Sequence, residues 1–374
     1  MNVAAGAVSG GNSRVQQFGL INLLKAGAAQ LIVLHHLAFY GPMADHVRPL
    51  LPEVIDWLGD QARIAVQVFL VIGGFLAARS LSPAGRPGLD GPLQAIWRRY
   101  AKLAPPFIAA TLLAVVASTV AGEWMTHDSI SAPATLTQLA AHALLVHGVL
   151  GFESLSAGAW YVAIDFQLYA VVVLTLWLTG QVSGHRRLPW LIPFVIVTGI
   201  TLSLLHFNLD AEWDNWAPYF FGSYGLGLMA WWASDRSRKP GAVTLLVVMA
   251  ALPTMAALAL DYRSRIALAC AVAGMLFLFG RTRTVSSGRA WAAVNGLARS
   301  SYSVFLVHFP ICLVVNAAFT RFAPAEPEWQ ALGMVTAWAG SLAAGAAFHR
   351  WVEVPLGRMF GYLAAQFAMR PLSA

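Results

Sequence analysis

Long runs of apolar residues recur along this chain, and shorter stretches that carry most of its charges separate them. Each run holds about twenty residues, the length that an α-helix needs to cross about 30 Å of hydrocarbon. The pattern therefore predicts an all-α, polytopic integral membrane protein with about ten transmembrane helices. The predicted spans lie near residues 18–40, 62–81, 103–121, 158–180, 188–206, 215–234, 241–260, 263–280, 301–320 and 331–352.

An eleventh apolar stretch, residues 135–152, is interrupted by His142, His147 and Gly148. These interruptions favour an interfacial or re-entrant segment over a full span. The predicted domains are a cytoplasmic N-terminal segment over residues 1–17, one transmembrane domain over 18–360 and a cytoplasmic tail over 361–374.

The composition excludes an ordinary soluble protein. Hydrophobic residues make up 58% of the chain and charged residues 11%, and the mean hydropathy is +0.63. A soluble domain carries about 25% charged residues, so this chain has too few charges to cover a water-exposed surface.

The basic residues indicate how the chain is oriented. If the N-terminus lies inside, all but five of the 24 Lys and Arg fall in inner loops or at inner helix ends, as the positive-inside rule requires. This predicts cytoplasmic N- and C-termini in a bacterial inner membrane. The net charge of +7 is spread over several inner segments, so it describes topology and does not indicate nucleic-acid binding. The five outer residues are Arg48, Arg63, Arg263, Arg265 and Arg321.

Several ionisable residues lie inside predicted spans, where they are costly and usually face a cavity or a partner. The first span carries Lys25 near its inner end and the pair His35 and His36 near its outer end, and the fourth span carries Asp165. His36 and Asp165 lie at comparable depths, so we expect the Asp165 carboxylate to pair with His36 and orient its imidazole. Two further polar candidates in the spans are Gln67 and Gln167.

His308 is predicted in the inner half of the ninth span, apart from His36. A rim of basic residues surrounds that inner face, and such a rim is what a phosphate-bearing cytoplasmic ligand requires. The rim comprises Arg98, Arg99, Lys102 and Arg299.

Each of these features also has a purely structural interpretation. Basic residues at a helix end are typical of anchoring to anionic headgroups, and an intramembrane histidine or aspartate often serves only in a helix–helix hydrogen bond. The glycines at Gly222, Gly225 and Gly227 predict close helix packing.

A series of motifs runs in order along nearly the whole chain. They are KAGAAQLIVLHH with Lys25 and His36, FLVIGGFLA (69–77), RRYAKLAPP with Arg99 and Lys102, a phrase with Trp160, Asp165, Gln167 and Tyr169, RSSYSVFLVHFP (299–310) with Tyr302 and His308, and WVEVPLGR (351–358). Together these motifs resemble those of the membrane-bound acyltransferase-3 family, which transfers acyl groups onto cell-envelope glycans and other hydroxylated acceptors.

The resemblance assigns roles by position. The family carries an arginine, ten residues and then a catalytic histidine, and the corresponding residues here are Lys25 and His36, so His36 is favoured over His35. The chain departs from the family at four positions: it has Lys25 and Lys102 where arginine is usual, Asp165 where glutamate is usual and Gly73 where serine is usual. Lysine keeps the charge but lacks the planar fork that binds phosphate bidentately.

The resemblance implies transfer of an acyl group from cytoplasmic acyl-CoA, most simply acetyl-CoA, to a hydroxyl of a periplasmic glycan or related acceptor. His36 is the implied general base and Asp165 its orienting partner, while Lys25, Arg98, Arg99 and Lys102 would hold the donor phosphates. Other candidate residues are His35, Gln67, Trp160, Gln167, Tyr302 and His308. No metal is predicted; besides membrane lipids, the partners are the donor and the acceptor. The sequence leaves the acyl group, the acceptor and the oligomeric state open.

Two other classes of function stay open. A proton-coupled transporter or flippase for a glycan or lipid also uses intramembrane His, Asp and Lys, although the sequence shows none of the inverted repeats common in transporters. An inactive relative that serves as a membrane scaffold is the second alternative, because lysine replaces arginine at Lys25 and Lys102.

Overall fold

The structure is a computed structural model, and it describes residues 19–183, 188, 190–282 and 288–368. Within these ranges the chain is helical and contains no strand, which confirms the all-α prediction. The predicted N-terminal segment, residues 1–17, lies outside the described residues. The α-helices are α1 (Gly19–Phe39), α2 (Pro42–Val47), α3 (Pro52–Asp60), α4 (Val66–Leu81), α5 (Pro92–Gly122), α6 (Leu136–Ala143), α7 (Ala159–Ser183), α8 (Leu191–Leu205), α9 (Ala217–Ala233), α10 (Pro240–Leu260), α11 (Ser264–Phe279), α12 (Arg289–Phe322), α13 (Pro327–Phe348) and α14 (Val354–Ala368).

Eight helical segments within the described residues are long and apolar enough to cross a membrane. They account for eight of the ten predicted spans, and the remaining two spans correspond to α9 and α11, which are 17 and 16 residues long. The chain is therefore a multi-pass membrane protein.

Helix α9 lies at the centre of the bundle. Every residue of α9 except Pro218 is buried, and the helix packs against α4, α7, α8, α10 and α11. The crossing with α4 is close because glycines of each helix lie directly against the backbone of the other. A Cβ on Gly227 would lie 2.0 Å from the Val71 carbonyl oxygen, and a Cβ on Gly74 would lie 1.9 Å from the Tyr224 carbonyl oxygen. Gly222 and Gly225 lie directly against side chains of α8, those of Leu204 and Ile200, so the predicted close packing at these glycines is confirmed.

Two helices begin well before the apolar runs that predicted them. Helix α5 begins at Pro92, where the sequence predicted a span from residue 103, and α12 begins at Arg289, where it predicted one from residue 301. The first turns of both helices carry polar residues, which hydropathy does not recognise as part of a span. The basic residues of the RRYAKLAPP motif therefore lie within α5, before the start that the sequence predicted for this span.

The connecting segments gather at two ends of the bundle. We call the end where α1 begins the lower end and the end where α1 finishes the upper end. At the lower end the loop after α4 is held by hydrogen bonds from Trp232 Nε1 to the Ser82 carbonyl and from Arg238 to the Ala84 carbonyl. The segments after α1, α5 and α8 meet at the upper end, where they border one large cavity.

Residues 135–152 form the short helix α6 and a series of turns, so this stretch does not span the bundle. Two hydrogen bonds attach it to spanning helices: Tyr100 Oη donates to the Ala143 carbonyl, and Gln167 Nε2 donates to the Leu145 carbonyl. The backbone of Leu145 has a φ of 59°, a conformation unusual for a residue with a side chain, and Leu145 is fully buried. The interfacial or re-entrant position of this segment stays a prediction.

Candidate active site

A cavity of about 800 Å³ opens at the upper end of the bundle. It is lined by residues of α1, α4, α7, α9, α11 and α12 and of the segments between helices, and His35 and His36 are among them. Both charged and aromatic side chains line it. Its charged side chains are Asp60, Arg63, Asp128, Glu153, Asp214, Arg263 and Arg265, and its large aromatic ones include Trp160, Tyr219, Phe220, Tyr262, Phe305 and Phe309.

His36 is held in one tautomer by a second histidine. Its Nδ1 lies 2.5 Å from Nε2 of His308, and the two ring planes differ by only 7°. His308 Nδ1 lies 3.1 Å from the carbonyl oxygen of Val304, which can only accept, so His308 carries its hydrogen on Nδ1. His308 Nε2 is therefore an acceptor, and His36 Nδ1 donates to it. The free lone pair of His36 is then on Nε2, on a ring that lines the cavity.

The position of His308 corrects the sequence-based expectation. His308 was predicted in the inner half of its span, apart from His36, yet the two side chains are in direct contact. Because α12 starts at Arg289, His308 lies 19 residues along a helix of 34, which brings it to the level of His36 near the upper end of α1.

His35 lies beside His36 but in a different setting. Its Nδ1 donates to the carbonyl oxygen of Leu58 at 2.9 Å, so its own Nε2 is also unprotonated. The two rings are 5.0 Å apart and both line the cavity. The hydrogen bond from His35 runs to the backbone of the short helix α3, whereas that of His36 runs to a buried side chain on α12.

The predicted pairing of Asp165 with His36 is wrong. Asp165 Oδ2 instead accepts a hydrogen bond from Arg99 Nη2 in a buried ion pair between α7 and α5. Equal depth in the membrane did not decide the partner, because α5 carries Arg99 into the bundle on the side that faces α7. The partner that orients His36 is His308.

The remaining predicted donor residues lie near this ion pair or below it. Lys25 and Lys102 lie within electrostatic range of each other and of Glu353, and Lys102 is also within range of Arg99. Glu353 accepts hydrogen bonds from Ser303 Oγ and from His349 Nδ1. Arg98, in contrast, is exposed on α5.

The other sequence candidates divide between the cavity and the scaffold. Gln67 lines the cavity and accepts a 2.6 Å hydrogen bond from Ser223 Oγ, and Trp160 lines it with its ring stacked on Phe220. Gln167 holds the 135–152 segment, as described above. Tyr302 Oη donates to the carbonyl of Leu103 beside the two prolines inside α5.

Two arginines at the cavity wall, Arg263 and Arg265, were not among the site residues predicted from the sequence. Arg263 binds the carbonyl oxygens of Asn208 and Leu204, while Arg265 reaches the Asn208 carbonyl and lies over the Tyr219 ring. Burial raises the pKa of the nearby Asp214 carboxyl, and Arg265 opposes that shift. In the sequence, both arginines stood out only as exceptions to the positive-inside pattern, and that exception was the available signal.

Among the described residues, no group of three or more His, Cys, Asp or Glu side chains is arranged to hold a metal ion. In comparisons with known proteins, the acyltransferase-3 family model, described as an acyltransferase domain, matches residues 19–348. The comparisons with curated proteins and with solved structures returned no match.

Proposed function

The chain belongs to the acyltransferase-3 family and is a membrane acyltransferase, and from that premise we propose its donor, acceptor and base. It moves an acyl group, most simply acetyl, from cytoplasmic acyl-CoA to a hydroxyl of a periplasmic cell-envelope glycan or related acceptor. His36 is the general base. The observation that carries this proposal is the hydrogen-bond chain from His36 through His308 to Val304, which leaves His36 Nε2 unprotonated at the cavity.

The chemical step needs one proton acceptor that later returns its proton. His36 Nε2 removes the proton from the acceptor hydroxyl as the oxygen attacks the thioester carbonyl carbon. The C–O bond forms, the C–S bond breaks, and the departing CoA sulfur takes the proton from Nε2. Throughout, the Nδ1–H of His36 stays hydrogen-bonded to His308 Nε2, which stabilises the transient imidazolium.

The walls of the cavity support a sugar-like acceptor. Flat aromatic surfaces such as the stacked Trp160 and Phe220 suit the apolar faces of a pyranose ring. Carboxylates and guanidinium groups around them offer acceptors and donors for hydroxyl groups. A volume of about 800 Å³ leaves room for more than one ring.

On the donor side, the support comes from the lysines between the helices. Lys25 and Lys102 lie within electrostatic range of each other. Arg98 adds an exposed cation on α5. These cations would hold the phosphates of acyl-CoA. Arg99 is already paired with Asp165 through Nη2, which leaves less of its guanidinium for the donor than Lys25 and Lys102 offer with their ammonium groups.

Acyl transfer by the purified protein in nanodiscs tests the proposal. The donor is labelled acetyl-CoA and the acceptor pool is an envelope-glycan extract. We expect His36→Ala to lower transfer at least about 100-fold. His35→Ala is the matched control, since His35 lines the same cavity but does not contact His308, and it should keep most of the activity. Thermal unfolding of each variant verifies that the fold is intact.

Three outcomes separate this proposal from its rivals. Loss of activity in His35→Ala alone would move the base to His35. A wild-type protein that binds acyl-CoA but transfers nothing to any glycan would overturn the glycan acceptor. A protein that binds no acyl-CoA, and instead drives proton-coupled uptake in vesicles, would be a transporter.

A further inference from the structure

A tyrosine lies one helical turn beyond the proposed base. Tyr40 directly follows α1, and its amide donates to the His36 carbonyl at 2.9 Å, so the helical hydrogen bonding of α1 continues to it. Residues four apart on a helix carry their side chains on the same face. The ring centroids of His36 and Tyr40 accordingly lie 5.3 Å apart, and both residues line the cavity of about 800 Å³. A group that reacts at His36 is therefore close to Tyr40.

The hydroxyl of Tyr40 is available to a substrate. It forms no hydrogen bond with a described residue, and it is not one of the buried polar atoms that lack a partner, so it is accessible. A phenol has an ordinary pKa of about 10, so this hydroxyl carries its proton at neutral pH and can donate a hydrogen bond.

The fold holds Tyr40 in place through α12. The ring of Phe309 packs edge-on against the Tyr40 ring, with centroids 5.3 Å apart. The Tyr40 carbonyl accepts from Asn316 Nδ2 at 3.3 Å, and Asn316 Oδ1 accepts from the Met43 amide. Gly41 lies against Asn316 with a φ of 119°, a conformation that favours glycine. A donor that is fixed beforehand in this way needs no reorganisation during the reaction.

Other polar side chains at the cavity are less suited to donate beside His36. Of the described side chains that line the cavity, those in ring contact with His36 are His35 and Tyr40. His35 donates from Nδ1 to the Leu58 carbonyl, so its Nε2 carries a lone pair and cannot donate. Arg63 also lines the cavity, but it lies within electrostatic range of His35 and not of His36. Tyr40 is therefore the donor best placed for a charge that develops next to His36.

Acyl transfer creates such a charge. His36 Nε2 takes the proton of the acceptor hydroxyl while the acceptor oxygen attacks the thioester carbonyl carbon, and the carbonyl oxygen becomes an alkoxide. A fixed hydrogen-bond donor at that oxygen lowers the barrier, and the loss of one such donor lowers kcat by roughly 10²- to 10³-fold in other enzymes.

We propose that Tyr40 is a catalytic residue whose hydroxyl donates a hydrogen bond to this alkoxide. Tyr40 keeps its own proton throughout. The alkoxide collapses to the ester carbonyl, the C–S bond breaks, and the CoA sulfur takes the proton from His36 Nε2. The role rests on the proposed transfer from acyl-CoA and adds to it a second residue that contacts the reacting atoms.

Steady-state kinetics of Tyr40→Phe in nanodiscs, with acetyl-CoA and the envelope-glycan extract, test this role. The substitution removes the hydroxyl alone. We expect kcat to fall by about 100-fold, because the donor acts on a charge that exists only in the transition state. The KM for acetyl-CoA and the apparent KM for the extract should change by less than about twofold. The Tm should stay at the wild-type value, since the hydroxyl has no partner in the described protein.

Tyr100→Phe is the matched control, because it makes the same chemical change at a hydroxyl that does have a protein acceptor. Tyr100 Oη donates to the Ala143 carbonyl on the 135–152 segment. This variant should therefore lower the Tm and keep the wild-type kcat, the reverse of what we expect for Tyr40→Phe.

Wild-type kcat in Tyr40→Phe would overturn the role of Tyr40 and leave His36 as the base. A raised KM for the extract with an unchanged kcat would also overturn it, because the hydroxyl would then bind ground state and transition state equally. So would a loss of kcat that comes with a lowered Tm, since the hydroxyl would then serve the fold. A wild-type protein that transfers no acyl group from acyl-CoA would remove the donor assignment and the role of Tyr40 together.

Discussion

At the scale of single residues, His308 decides what His36 can do. The Val304 carbonyl holds the hydrogen of His308 on Nδ1, and that choice makes His308 Nε2 the acceptor for His36. Without this acceptor, His36 can rotate or adopt the other tautomer, and its Nε2 lone pair is no longer fixed toward the cavity. His308 is therefore a positioning residue that acts through His36.

Substitution of His308 tests this role. We expect His308→Ala to lower kcat by about 10- to 100-fold while KM for the acyl donor changes little, because donor binding does not use His308. His308→Gln keeps a side-chain acceptor and should recover most of the lost kcat. The measurement is steady-state kinetics at several pH values, and the Ala variant should also shift the pH profile of kcat.

Equal kcat in His308→Ala and wild type would contradict the positioning role. A similar loss in both variants would indicate that packing around His308, and not its acceptor, is what matters.

Sequence reasoning found His36 but not its partner, and the reason is geometric. Position along a span fixes only the depth of a residue, and several helices present residues at the same depth. Asp165 was chosen because it shares the depth of His36, whereas the side chains that meet are set by which helix faces meet. The contact between α1 and α12 brings His36 to His308, and the contact between α5 and α7 brings Arg99 to Asp165. Neither contact between helices can be predicted from hydropathy.

At the scale of elements, the 135–152 segment contains a pair of histidines with opposite roles. The rings of His142 and His147 stack with centroids 3.9 Å apart. His142 donates from Nδ1 to the Gln138 carbonyl and accepts from the Leu155 amide. Both nitrogens of His147 are buried without a hydrogen-bond partner among the described residues. Burial, assisted by the neighbouring His142, lowers the pKa of His147 to about 3.

This difference predicts opposite effects of one substitution. His147→Phe keeps the stacked ring and removes two unpaired polar atoms, so it should maintain or raise the Tm. His142→Phe removes two hydrogen bonds, at about 1 kcal/mol each, and should lower the Tm. Thermal unfolding of the purified variants in detergent measures both.

The effect of His147→Phe should depend on pH with a definite sign. Folded His147 stays neutral down to about pH 3, whereas in the unfolded chain it takes up a proton near its ordinary pKa of about 6.5. Stability from this group is therefore lost as the pH falls below about 6.5, and His147→Phe removes that loss. The Tm advantage of the variant should grow between about pH 7.5 and 5. A pH-independent difference would contradict the buried, neutral state of His147.

At the scale of the whole molecule, the sequence pattern was a good guide to which segments enter the membrane and a poor guide to their arrangement. Lipid-facing helices must be apolar, so runs such as Pro240–Leu260 stand out in any hydropathy profile. Helix α9 is enclosed by protein and can carry Gly222, Gly225 and Gly227, and these small residues were the only sequence signal of its central position. The order of helices around α9 depends on long-range packing that no local pattern records.

The proposed direction of acyl transfer depends on which end of the bundle faces the cytoplasm. The excess of Lys and Arg at the lower end predicts that this end is cytoplasmic and that the cavity faces the periplasm. Single cysteines test it in a background that carries Cys270→Ala and Cys312→Ala. Glu212→Cys lies in the upper loop between α8 and α9, and Arg236→Cys lies in the lower loop between α9 and α10.

In intact spheroplasts, a membrane-impermeant maleimide should label Glu212→Cys and should label Arg236→Cys only after permeabilisation. Both positions are exposed, so unequal labelling reports the side of the membrane and not burial. The reverse pattern would place the cavity and His36 on the cytoplasmic side. Acceptor and donor would then approach from the same compartment, and the proposed transfer across the membrane would be wrong even if His36 remained the base.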